Sequence, residues 1–336
     1  MKEIFEVGPI HAKKGTKNTG YLHVGETTIM EVKIPVAIFH GVRDGPVLCI
    51  SGGVHAFEYS SIEAVQRILN MIDPTKLSGT VIVVPVVNTP SFESRGPQGG
   101  WSTAFQCPID GINLNRIFPG NPEGTMGYQI AYIFMSQVVS KADYLIDCHG
   151  GDLNEELSPY VIAAASGDRE KDKQAIEILA ASYDTDLVSI STTKGGSCVS
   201  AAQMGKPSIV AEAGGFGRID ETAVRWHVEG MVNVMKRLKM IEGTPNKPRP
   251  QGNRKRFNLI VGRGGICYTP PLGTRVRKGD QVGVVKDMFG NVLETLKSPI
   301  DGVISFRRNP ISVNTNDRAI GITPDEDLVP PERPYP

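Results

Sequence analysis

Between about Pro46 and Glu242, continuous apolar runs alternate with amphipathic ones, and this alternation constrains the fold more than any other feature of the chain. PVLCISGG (Pro46–Gly53), TVIVVPVV (Thr80–Val87), YLIDCHG (Tyr144–Gly150), PYVIAAA (Pro159–Ala165), DLVSIST (Asp186–Thr192) and PSIVAEAGG (Pro207–Gly215) read as strands. Between them, Glu58–Ile72 sets Ile62, Val65, Ile68, Leu69 and Ile72 at helical spacing and stops at Asp73-Pro74. Thr125–Ala142, Lys171–Tyr183 and Thr222–Met240 repeat that pattern. A strand that is apolar on both faces needs cover on both faces, so the expected fold is α/β: a mixed sheet flanked by helices. A strand-rich lead-in precedes it, with EVKIPVAIF its clearest strand.

The composition changes after Glu242. At 336 residues the chain has room for about two domains. The α/β unit is expected over residues 1–245, a Pro- and Lys/Arg-rich linker over 246–256, a small all-β barrel or sandwich over 257–325, and an irregular tail over 326–336. Lys plus Arg and Asp plus Glu both number 36. That balance argues against nucleic acid or an anionic membrane as partner, but it leaves room for a local basic pocket. No apolar run reaches the length of a membrane helix, and the first residues lack a signal-peptide core. The 5 cysteines show no CxxC spacing, which predicts buried free thiols in a reducing cytoplasm and no thiolate zinc site.

Two of the 6 histidines directly follow predicted strands. His55 lies in GGVHAFE and His149 in DCHGGD, at the carboxyl ends where open α/β sheets bind ligands. Glu58 is three residues beyond His55, so its carboxylate can meet the imidazole. Two His and one Glu form one ligand set of catalytic zinc. The bland alternative is a strand-end His beside a helix-start Glu favoured by the helix dipole. Glu212, in SIVAEAGG, is placed to act as a general base, or is merely a solvated loop residue. Asn113, Asn115 and Arg116 in DGINLNRIFPG suit carboxylate binding, or form an ordinary turn. Asp147 shares a strand face with His149, where it orients His149, approaches the metal site itself, or pairs with a backbone N–H. Cys198 has no identifiable His or Asn partner and reads as a buried thiol.

Taken in order, GxHxxE (Gly53–Glu58), NxNRxFPG (Asn113–Gly120), DxHG (Asp147–Gly150) and ExGG (Glu212–Gly215) resemble the succinylglutamate desuccinylase/aspartoacylase family, which is grouped with the zinc carboxypeptidase-like hydrolases. The resemblance spans roughly residues 30–320. It implies one zinc per chain held by His55, Glu58 and His149, with Glu212 as general acid/base and Asn115 and Arg116 binding a substrate carboxylate. It also implies hydrolysis of a small N-acyl amino acid or related N-acyl amine, and an oligomer. Two departures stand out. Ala56-Phe57 replace a small-and-polar pair, which predicts a more apolar pocket wall. AFQCPIDG lacks the arginine common before that segment, and Arg95 is the candidate replacement. The β-rich region resembles lipoyl and biotinyl carrier domains but lacks their lysine motif, so Lys286 reads as a turn residue and the region as a rim or lid. The competing readings are a metallocarboxypeptidase acting on short peptides, which would use the same groups, and a binding protein without activity.

Overall fold

The computed structural model describes residues 3–94, 104–185, 187–248, 256–308 and 312–325. Within them, a mixed sheet of twelve strands runs through the molecule. Its centre is parallel: Ser78–Val84, Arg43–Gly52, Tyr144–His149 and Ser208–Gly215 lie side by side in that order. Glu31–His40 and then Thr16–Glu26 extend one side antiparallel. Glu155–Ala164 extends the other side, antiparallel to Ser208–Gly215.

Both faces of the sheet are covered, as its apolar strands require. On one face, Cys49, Ile82 and Leu145 pack with Ile130, Phe134 and Val199. On the other, Leu48, Ile50 and Ile146 pack with Val65 and Ile68 of the helix Tyr59–Ile68, and with Val224 and Met231 of the helix Glu221–Arg237. Adjacent residues 48, 49 and 50 alternate between the two cores, following the two-residue period of a strand. The two middle helices are less regular than their periodicity suggests. Met126–Ile133 and Arg169–Gln174 each widen into a π turn, Phe134–Val138 and Ala175–Leu179, and close with a tight 3₁₀ turn. A short helix at Ser197–Gln203 was not expected, because its small residues leave no apolar stripe to read.

The C-terminal strands are antiparallel, but only part of them forms a separate sheet. Val292–Lys297, Gln281–Lys286, Gly265–Tyr268 and Ser312–Val313 make a four-stranded sheet. Gly302–Arg308 instead pairs with Glu155–Leu157, aligning Arg308 with Glu155 and Phe306 with Leu157, so the central sheet continues into this region. The pairing covers an edge that would otherwise expose unpaired amides. Arg318–Pro324 and Phe257–Ile260 follow on, over a core that includes Val282, Ile304 and Ile320. Lys286 closes a strand rather than sitting in the turn, with its ammonium 5.4 Å from the Tyr268 ring centre. Most of the expected linker (249–255) and the expected tail 326–336 lie outside the described residues. All five cysteines are free and buried, and no helix among the described residues is long and apolar enough to cross a membrane.

Candidate metal centre and active site

The parallel strands Arg43–Gly52, Tyr144–His149 and Ser208–Gly215 end along one edge of the sheet, and the candidate residues gather there. Gly53 turns the first strand outward at φ +64°, where an added Cβ would press on Val86 at 3.1 Å. His55 follows this bend. Glu58 precedes the helix Tyr59–Ile68, yet its side chain makes no capping hydrogen bond. One carboxylate oxygen, Oε1, lies 2.9 Å from His55 Nδ1. The other, Oε2, lies 2.9 Å from His149 Nδ1 and accepts the Gly150 N–H at 3.0 Å.

This geometry decides against the helix-start alternative. Glu58 is only 4% exposed. A helix dipole contributes about 0.3–1 kcal/mol, whereas burying a lone carboxylate costs several kcal/mol. Two imidazoles and a backbone amide offset that cost; the dipole alone does not. Burial pushes the Glu58 carboxyl up, but the charges and hydrogen bonds of His149 and His55 outweigh it and hold the pKa at about 2. Burial pulls His149 down, while Glu58 and Asp147 raise it well above the usual imidazole value.

The three side chains also fit a metal. Their donor atoms all lie within 4.8 Å of one another and are buried. Ligands at zinc distances of roughly 2.0–2.2 Å stand about 3.4 Å apart around a tetrahedron. Each imidazole is held from behind. His149 Nε2 is 3.0 Å from Asp147 Oδ2, and His55 Nε2 is 3.2 Å from Asn113 Oδ1. Each Nδ1 faces a Glu58 oxygen as a hydrogen-bond donor here; with a metal bound, the acceptors behind the rings would keep the Nε2 protons and both Nδ1 lone pairs would turn to the metal. Asp147 is itself fully buried and accepts hydroxyl hydrogen bonds from Ser51 (2.8 Å) and Ser197. Of its expected roles, the geometry matches orientation of His149, and Asp147 stays outside the ligand cluster.

Glu212 is part of a strand, not a solvated loop. Its register partners are His149 on one side and Tyr160 on the other, so it stands beside the His–Glu–His cluster on the same face. Burial, then the Glu58 charge, raises its carboxyl well above the ordinary range, against the pull of His149. The glycines after it let backbones close in: a Cβ on Gly215, at φ +152°, would strike the Glu155 carbonyl.

The Asn113–Arg116 turn abuts His55. Asn113 Oδ1 also accepts the Asn115 N–H at 2.9 Å, and Asn115 Oδ1 accepts the Ser197 N–H at 3.1 Å. Arg116 is exposed, with Nη1 donating to the Asn115 carbonyl at 2.7 Å. Arg95 lies outside the described residues. Ala56 and Phe57 are buried, and it is Phe105 that sets a ring edge-on to His55, 4.8 Å between centres. Cys198 is buried as expected, its thiol donating to the Ile209 carbonyl at 2.9 Å.

Two residues near the site were not singled out in the sequence. Asp152, in HGGD, is fully buried with Oδ2 unpartnered, and burial followed by the Glu58 charge pushes its carboxyl up to about 7. Arg256 enters from the C-terminal region and stacks on Tyr160, 4.8 Å from the ring centre. HGGD offered a local signal for Asp152; nothing local marks Arg256.

A model of the succinylglutamate desuccinylase/aspartoacylase catalytic domain matches residues 44–238, more than half of the chain, and takes in both histidines, Glu58 and Glu212. The chain belongs to this family. Among the relatives of this family member is N-alpha-acetyl-L-2,4-diaminobutyric acid deacetylase of Halomonas elongata, 28% identical over 302 residues, covering 85% of this chain and 84% of that protein. Two solved structures share the fold. A succinylglutamate desuccinylase from Silicibacter sp. TM1040 matches at a TM-score of 0.81 and 22% identity, over 95% of this chain and 100% of that one. The product-bound ectoine utilization protein EutE of Ruegeria pomeroyi matches at 0.80 and 21%, over 92% and 95%. The expected mixed sheet with flanking helices and added C-terminal strands is thus the architecture of the family. Desuccinylases, aspartoacylases and deacetylases are amidohydrolases acting on C–N bonds other than peptide bonds, and this family member is an enzyme of that class.

Proposed function

We propose that the protein is a zinc-dependent deacylase that hydrolyses the amide bond of a small N-acyl amino acid or related N-acyl amine. The observation that carries this reading is the convergence of His55, Glu58 and His149 on one point, with Glu212 in register beside His149. Zinc bound by the three side chains would polarise the acyl carbonyl and bring the pKa of a water toward ~7.

The chain's own residues supply the rest. Glu212, whose pKa is raised above the ordinary range by burial and which stands in register beside His149, takes the proton of the attacking water and hands it to the leaving nitrogen. Asn115 and Arg116, on the His55 side, grip a substrate carboxylate. Arg95 is the candidate for the carbonyl-polarising arginine. The 257–325 region forms a rim that limits substrate length, which favours small N-acyl compounds over peptides.

The test combines metal analysis with a substrate series. One bound divalent metal per chain, with cleavage of N-acetyl-L-2,4-diaminobutyrate or another N-acyl amino acid in preference to peptides, supports the proposal. Chain-length-tolerant peptide cleavage would reassign the protein as a metallocarboxypeptidase. Absence of bound metal, or of any hydrolysis, would overturn the mechanism.

A further inference from the structure

We infer that the outer edge of the strand Thr16–Glu26 is an interface at which two copies of this chain pair antiparallel about a two-fold axis through Tyr21. The inference concerns a surface far along the sheet from the metal centre and does not depend on the function proposed above.

The first ground is the open edge. Thr16–Glu26 is the outermost strand on its side of the sheet, and among the described residues only Glu31–His40 pairs with it. It runs for 11 residues without a proline, about 37 Å at 3.4 Å per residue. Thr16, Lys17, Asn18 and Thr19 are exposed in succession. A long edge of this kind presents a row of amides and carbonyls ready for another strand. The molecule covers the edge of Glu155–Leu157 with Gly302–Arg308, yet leaves this one open.

The second ground is register. In an antiparallel pair, directly opposed residues point to the same face of the sheet. A two-fold axis at Tyr21 therefore sets Tyr21 against Tyr21 and Thr19 against His23. The strand carries a bulge between His23 and Gly25, which drops one position from the count beyond it. The next same-face pair is then Lys17 against Glu26. The axis repeats that pair, so two opposite charges meet on each side of Tyr21.

The third ground is that each of these residues lacks a partner of the right kind within the chain. Glu26 stands directly across from Glu31, a like-charge pair, and Glu31 has Lys33 as its ion partner. Lys17 Nζ donates to the Leu69 carbonyl at 3.2 Å and lies 5.0 Å from the Phe39 ring centre, with no carboxylate among its described ion pairs. A second copy brings Lys17 to Glu26 and answers both. Tyr21 is 64% exposed and lines a groove of about 780 Å³ with Met30, Pro35 and Phe92 on the same face, so the opposing Tyr21 finds apolar surface there. The axis also carries Ile29, 87% exposed in the turn after Glu26, toward the Gly15 end of the other copy, where Val42 is exposed.

The experiment measures mass by sedimentation equilibrium on wild type, Lys17→Glu, Glu26→Lys and the double variant, with melting temperature as a fold control. Wild type is expected at twice the 36.4 kDa of one chain. Each single reversal sets like charges against each other at two symmetry-related positions, and should raise the dimer dissociation constant roughly tenfold or more. The double variant restores both pairs and should return to within about threefold of wild type. In a separate arm, Tyr21→Cys should form a covalent dimer on mild oxidation, because opposed residues stand roughly 4.5–5.5 Å apart at Cα, within disulfide reach. The native thiols are all buried and do not compete. Phe289→Cys, at an exposed position on the C-terminal hairpin, measures chance collision. A monomeric wild type, single reversals that leave the dimer unchanged, a double variant no tighter than the singles, or Tyr21→Cys crosslinking no faster than Phe289→Cys would each overturn the inference.

Discussion

Asp147 Oδ2 lies 3.0 Å from His149 Nε2, and both side chains are buried. The carboxylate therefore holds the Nε2 side of the His149 ring and keeps Nδ1 turned toward Glu58, without itself joining the ligand cluster. Asp147→Asn keeps the shape but presents an amide in place of a two-oxygen acceptor that also serves Ser51 and Ser197. Divalent-metal affinity should fall about 10- to 100-fold, as read by chelator competition. Unchanged affinity would reduce Asp147 to a structural role.

Asn113 holds His55 in the same way, through a single oxygen shared with the Asn115 N–H. Asn113→Ala removes the acceptor behind His55 and loosens the turn that carries Arg116. Metal affinity should drop by about tenfold, with Asn113→Asp losing less because it keeps an oxygen there. Equilibrium dialysis on the three proteins separates these outcomes.

The strands were legible because each is a long apolar run, and the site because its residues follow those runs directly. What the sequence hid was long-range. Ser197 reaches Asp147 from a helix of small residues with no periodic signal. The pairing of Glu155–Leu157 with Phe306–Arg308 joins segments about half the chain apart, and the same join brings Arg256 over Tyr160. Local patterning reports which face of an element is apolar; it does not report which distant strand will cover an edge. The choice between ligand and helix-start residue for Glu58 likewise needed His149 Nδ1 and the Gly150 N–H, neither of which is near it in sequence.

Glu212 stands beside the metal ligands but outside their cluster. Glu212→Gln should therefore leave bound metal unchanged while kcat falls by about 10²–10⁴. Metal analysis together with steady-state kinetics checks both halves. Loss of metal would make Glu212 a ligand, and undiminished turnover would remove it from the mechanism.

Two buried groups should pull the stability of the metal-free protein in opposite directions over one pH window. His227 is fully buried, and burial lowers its pKa to about 4, with neither ring nitrogen in a hydrogen bond. Between that value and the ordinary ~6.5 the unfolded chain binds the extra proton, so this contribution is present above pH ~6.5 and lost as pH falls toward 4. Asp152 is the reverse. Burial and the Glu58 charge raise its pKa from 3.8 to about 7, so the folded state holds the extra proton. Its contribution is present below pH ~4 and lost as pH rises through 7. At about 1.4 kcal/mol per pKa unit each contribution is on the order of 3 kcal/mol, so in wild type they largely cancel. The single variants expose them. Relative to wild type, urea-derived stability of His227→Leu should lose ground steadily from pH 4 to 7, and that of Asp152→Asn should gain over the same range. Parallel pH profiles for all three proteins would show that neither group is perturbed as its burial implies.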